Sequence, residues 1–141
     1  MWSADRRQVH DDNQMTPQQM TVQFNTDITG YPLPDKPVQR LDRTWVPTLN
    51  AVVMEELGET IAAASQNDIV EVADGLGDLV YFIYGMAAKA GIDLDPIVAE
   101  IHRRNMTKKG GSKPGRDIPF DAYKDEDYSP PNIEAILFGE E

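Results

Sequence analysis

The chain contains no cysteine among its 141 residues. Disulfides, thiolate zinc sites and cysteine nucleophiles are therefore excluded. No apolar run approaches the roughly 20 residues that a membrane span requires. The opening residues, MWSADRRQVHDDNQ, lack the apolar stretch of a secretion signal. Basic residues are scarce: 13 against 24 acidic, a formal net charge of −11. That balance opposes a nonspecific grip on nucleic acid or on an anionic membrane. The expectation is a cytoplasmic protein with no nucleic-acid or membrane partner.

What is present suffices for one folded domain, since 40% of the residues are hydrophobic. Residues 1–15 are polar and expected to be flexible. Residues 16–141 are expected to form a single domain with an extended C-terminal tail. Pro17 opens a short helix carrying Met20, Val22 and Phe24. The segment TGYPLPDKP, residues 29–37, holds too many prolines for a helix and predicts an extended loop.

Two long helices follow. Val46, Leu49, Val53, Leu57, Ile61 and Ala64 recur at helical spacing from Thr44 to about Ser65. Thr44 is the candidate cap, and Pro47 sits early, where a missing N–H is tolerated. After the break SQND, Asn67 or Asp68 caps a second helix, which runs to about Ala90. Gly91 ends it. A third helix spans about Asp95 to Met106, and a short one lies around Ile133–Phe138. No segment shows sustained strand alternation. The fold class is all-α, an antiparallel helical bundle, with oligomerisation a natural way to complete burial in a chain of this size.

The acids on the two long helices are the informative feature. Glu55 and Glu59 project within about 40° of each other, and Glu56 lies about 60° beyond Glu59. On the next helix Glu71, Asp74 and Asp78 span about 60°. Each set borders the apolar stripe that should meet the partner helix, and residues 51–87 include no Lys or Arg. Acids on amphipathic helices commonly form a solvated face. A merely solvated face usually mixes both signs, however. Converging carboxylates call for divalent cations, and magnesium favours such oxygen donors. Magnesium would also suit hydrolysis of a polyphosphate.

These residues resemble the all-alpha NTP pyrophosphohydrolases, the MazG-like group. That group includes dimeric dUTPases, dCTP pyrophosphatases and phosphoribosyl-ATP pyrophosphohydrolase. Its pattern is EExxE on one helix and ExxD on the next. EELGE, residues 55–59, matches the first motif. Residues 68–111, with DGLGDLVYFIYG and RRNMTKK, look like the second half.

One departure concerns register. If Asp78 is the Asp of ExxD, the Glu position falls on Gly75. Otherwise the pair is Glu71 and Asp74, with Asp78 one turn further. The resemblance implies Mg2+, with Mn2+ as a substitute, held by Glu56, Glu59, Asp74 and Asp78. It implies catalytic roles among Glu55, Glu56, Glu59 and Glu71, and substrate contacts by Arg103, Asn105 and Lys108. It further implies a nucleoside triphosphate substrate, release of monophosphate and pyrophosphate, and a homodimer or homotetramer. Phosphoribosyl-ATP is the alternative substrate. A non-catalytic acidic oligomerisation module is the alternative of another class. His102 is expected to be a surface or packing residue rather than a catalyst, and the helical aromatics Trp45, Tyr81, Phe82 and Tyr84 are expected to be core rather than to stack on a base.

Overall fold

A computed structural model describes residues 15–139. The expectation of a flexible N-terminus concerns residues that, apart from Met15, lie outside this stretch. The chain divides into two compact units, one ending at Asp93 and one beginning at Leu94. The fold is all-α, as the sequence predicts. No helix among the described residues is long and apolar enough to cross a membrane.

Helix α1, Pro17–Phe24, begins with a capping box. The Gln19 amide donates to Thr16 Oγ1 at 3.2 Å, and the Thr16 amide donates to Gln19 Oε1 at 2.8 Å. The chain then widens into a π-helical turn, Asn25–Thr29, which Gly30 closes at φ 69°. Side chains hold this turn. The Thr29 hydroxyl donates to the Asn25 carbonyl at 3.0 Å, and Asn25 Nδ2 donates to the Thr21 carbonyl at 2.9 Å.

Helices α2, Trp45–Ser65, and α3, Ile69–Lys89, form a hairpin and make the most extensive pairing in the fold. Three residues join them. Asn67 takes the left-handed conformation at φ 56°, and Asp68 caps α3 by accepting the Glu71 amide at 3.2 Å. Thr44 precedes α2 without capping it through its side chain. Its amide and hydroxyl are instead bound by Asp42 Oδ1, at 2.7 and 2.5 Å.

The helices touch most closely where Gly75 meets Thr60. A Cβ on Gly75 would stand 2.0 Å from Thr60 Oγ1 and 3.1 Å from Thr60 Cβ. Thr60 cannot swing away cheaply, because its hydroxyl donates to the Glu56 carbonyl at 2.7 Å. Glycine is thus what the crossing demands.

Apolar burial concentrates at the far end of α3, in Met86, Ala87, Ala88 and Ala90. The proline-rich loop covers that end. The Val38 amide donates to the Ala90 carbonyl at 3.0 Å, and the Lys36 carbonyl packs where any Cβ on Gly91 would collide. Gly91 ends the helix at φ 71°, as its position predicts. Trp45 anchors α2 to the same region by donating from Nε1 to the Met86 carbonyl at 2.9 Å.

Helix α1 docks on α3 through polar groups. Gln18, Thr21 and Asn25 are buried, and Gln18 Nε2 donates to the Tyr84 carbonyl at 2.9 Å. The predicted apolar stripes of the long helices are largely on the surface. Val46, Leu57, Ile61, Leu76, Val80 and Ile83 are all exposed. Two long helices and one short one offer each other too little area to cover them.

The second unit comprises α4, Leu94–Asn105, a strand pair, and α5, Ile133–Phe138. The strands β1, Lys109–Gly110, and β2, Ala122–Tyr123, pair antiparallel with Lys109 opposite Tyr123. The sequence showed no strand signal there, because two residues per strand are too few to display alternation.

Replacing Gly75 with Ala is expected to destabilise the protein by about 1–3 kcal/mol through overpacking. Urea denaturation checks this, and adding Thr60→Ala should recover part of the loss. Equal stability of Gly75→Ala and wild type would mean the helices do not meet as described.

Candidate active site

The Thr60–Gly75 crossing lies in the wall of a cavity of 280 Å3. Glu56 and Glu59 reach it from α2; Asp68, Glu71, Asp74 and Asp78 reach it from α3 and its cap. The antiparallel hairpin explains the convergence. Glu56 and Glu59 lie within one turn before Thr60 on α2, Asp74 and Asp78 lie on either side of Gly75 on α3, and the crossing brings the two rows together. Glu55 does not line the cavity. Asp68 does, although from sequence it was legible only as a helix cap.

No Lys or Arg is among the lining residues. Glu56 is pushed above the ordinary carboxylate range. Partial desolvation is the largest cause, followed by the charges of Glu59, Asp78, Glu55 and Asp74. The four charges that act on Glu56 come from both helices.

Among the described residues, no group of three or more His, Asp or Glu side chains is gathered closely enough to hold a metal ion. The six carboxylates share a cavity without forming a ligand set. Their chemistry nevertheless fits a hard divalent cation. All the charged donors are carboxylate oxygens, and no fixed cation competes for them. Gly75 also bears on the register of the second motif. Its place is taken by the helix crossing, while Glu71, Asp74 and Asp78 all face the cavity.

The basic residues singled out from sequence belong to the second unit. Arg103 and Arg104 both bind the carboxylate of Glu100, which is buried. Arg104 Nε lies 3.3 Å from Glu100 Oε2, and the Asn132 amide donates to the same oxygen at 2.9 Å. These contacts hold the Glu100 carboxyl down at about 2; the Asn132 amide contributes most, then Arg103. Asn105 is exposed at the end of α4, and the Lys108 ammonium lies over the Tyr128 ring, 5.8 Å from its centre. Glu100 escaped the sequence analysis because only its spacing from Arg103 and Arg104, i to i+3 and i+4, marked it.

Two of the helical aromatics have defined partners. Trp45 is tied to Met86, and Tyr81 meets Phe24 edge-on with ring centres 5.8 Å apart.

A helical hairpin whose two arms offer facing carboxylates is the architecture that the sequence motifs anticipated. Residues 28–105 match the phosphoribosyl-ATP pyrophosphohydrolase family, and the chain belongs to that family. A stretch of 44 residues is 41% identical to an uncharacterized protein of Acanthamoeba polyphaga mimivirus. The aligned stretch is 31% of this chain, which spans only 18% of that relative's length.

The lowered Glu100 carboxyl makes the second unit acid-sensitive. Its contribution is fully present above the unfolded value near 4.5 and is lost as pH falls through about 2. Denaturation followed from pH 6 to pH 2 should show a smaller acid loss in Glu100→Gln than in wild type. Identical pH slopes would mean that Glu100 carries no such linkage.

Proposed function

We propose that this chain hydrolyses a nucleoside triphosphate to the monophosphate and pyrophosphate with Mg2+, or with Mn2+ as a substitute. The observation that carries the reading is the single cavity into which two helices direct six carboxylates and no base. Family membership supports the same chemistry. A solvated acidic face, the alternative of another class, gives no reason for both rows to line one cavity.

Glu56, Glu59, Asp74 and Asp78 would hold the divalent ions. When bound, such ions neutralise phosphate oxygens and acidify water. Glu71, facing the same cavity, accepts a proton from the attacking water. Glu56, whose affinity for protons is raised by partial desolvation and then by its acidic neighbours, would gain from a cation beside it. Glu55 acts through its charge on Glu56 rather than from within the cavity. Arg103, Asn105 and Lys108 are read as contacts for the substrate. Phosphate oxygens suit the two cations, and Asn105 suits a neutral hydrogen-bonding group.

Copies of the chain are proposed to associate as a homodimer or homotetramer through the apolar faces of α2 and α3. Val46, Met54 and Ile61 are each about 60% exposed on α2, and Ile69 and Val70 exceed 70% on α3. Large apolar side chains exposed in this number suit an association face. Phosphoribosyl-ATP is the second substrate reading, favoured by the family that residues 28–105 match.

A panel of canonical and modified triphosphates plus phosphoribosyl-ATP, assayed with Mg2+ and with products resolved, tests the reading. Pyrophosphate and monophosphate are expected; stepwise release of orthophosphate would overturn it. Glu56→Gln and Asp78→Asn are each expected to lower turnover by at least about 100-fold while helix content is kept. Mg2+ should raise the melting temperature of wild type and have little effect on Asp78→Asn. Wild-type rates in either variant would remove that residue from the mechanism.

A further inference from the structure

The face of α3 that carries the acids continues past Asp78. Asp74, Asp78 and Tyr81 stand at i, i+4 and i+7. Tyr81 therefore projects within about 20° of Asp74 and about 60° of Asp78. It lies one turn, about 4.5 Å, further along the helix axis than Asp78. The row of carboxylates leads to an aromatic ring.

The sequence predicts Tyr81 as core, yet it is 40% exposed. Phe24 of α1 is 39% exposed and meets it edge-on, with ring centres 5.8 Å apart. These two line a cavity of 410 Å3 with Met20, Ile28, Gln23 and Asp27. This cavity and the carboxylate cavity belong to the same compact unit. Its polar side chains are one carboxylate, one amide and the Tyr81 hydroxyl, and no Lys or Arg is among the lining residues.

The backbone that presents Asp27 is fixed by hydrogen bonds. Asp27 and Ile28 lie in the π-helical turn. The Thr29 hydroxyl is bound there to the Asn25 carbonyl and to Asn25 Oδ1, at 3.0 and 3.1 Å. Gln18 holds α1 against α3 through the Tyr84 carbonyl. Side chains on such a frame are set before any ligand arrives.

We propose that this cavity receives the base of the nucleotide whose phosphates lie at the carboxylates, and that it favours a base bearing an amino group, guanine foremost. The inference rests on the reading of a nucleotide substrate and names the class of base for that site. Every base has a flat face that can stack, which suits the rings of Phe24 and Tyr81. The single turn from Asp78 to Tyr81 corresponds to the single ribose that separates a base from its phosphates.

Asp27 supplies the selection. An ionised carboxylate accepts from N–H donors and repels carbonyl oxygens. Guanine offers it two adjacent donors, the ring N–H and the amino group, for a paired contact. Uracil offers one N–H flanked by two carbonyls. An apolar segment of protein laid over the cavity would strand the Asp27 charge, whereas a base with donors satisfies it.

Equilibrium dialysis with nucleoside monophosphates and Mg2+ reads the cavity without turnover. GMP and IMP share one ring system and differ by the amino group alone. Wild type is expected to hold GMP at least about tenfold more tightly than IMP. Asp27→Asn should abolish that preference. Phe24→Ala, at an exposed position, should weaken both nucleotides at least about tenfold. Equal affinities of wild type for GMP and IMP would overturn the inference. So would a preference that survives in Asp27→Asn, or wild-type affinity in Phe24→Ala.

Turnover separates this result from the wider reading. GTP is expected to exceed UTP in kcat/KM. Equal values, with pyrophosphate released from both, overturn the base subsite and leave hydrolysis standing. No pyrophosphate from any triphosphate overturns hydrolysis, whereas a GMP preference that Asp27→Asn abolishes still supports the cavity as a base subsite.

Discussion

Thr60 and Gly75 set how closely α2 and α3 approach, and the carboxylate cavity follows from that distance. With no side chain on Gly75, the backbone of α3 reaches the hydroxyl of Thr60, which is held by the Glu56 carbonyl. The same residue whose carbonyl fixes Thr60 sends its carboxylate into the cavity. Helix packing and acid placement are therefore joined within one turn of α2. Any residue larger than glycine would separate the two acid rows as well as loosen the hairpin.

Mutual repulsion is the cost of this arrangement. Lysine or arginine among the lining residues would relieve it, yet none is there. Glu56 is pushed above the ordinary carboxylate range, by partial desolvation first and then by the acids around it. Such a cavity has two routes to relief, protonation or a bound cation, and the second is available at neutral pH.

The helices were legible in the sequence because their punctuation is strong. Pro17, Gly91 and the SQND break fall where the structure begins, ends and joins helices. The acid rows were legible for the same reason, since i, i+3 and i+7 spacing survives any detail of packing. Other features left no such mark. The π-helical turn at Asn25–Thr29 depends on the side chains of Thr21, Asn25 and Thr29, which apolar periodicity ignores. Glu100 looked like one more charge on an amphipathic helix, although it is buried and holds two arginines. Thr44 was the natural cap for α2, but the stronger acceptor at Asp42 takes its hydroxyl. The apolar stripes were read correctly as stripes. That they lie exposed is a matter of how much partner surface the chain provides, which spacing alone does not encode.

The seam between α1 and α3 is made of Gln18, Thr21 and Asn25, not of leucine or valine. Greasy contacts tolerate sliding, because one methylene serves nearly as well as the next. Amide and hydroxyl partners do not: a rotation of α1 by one residue would strand Gln18 from the Tyr84 carbonyl and bury an unmet donor. The short helix is thus keyed to one setting against its neighbour. It acts as a locating pin for the aromatic pair of Phe24 and Tyr81, whose mutual angle would drift on an oilier hinge.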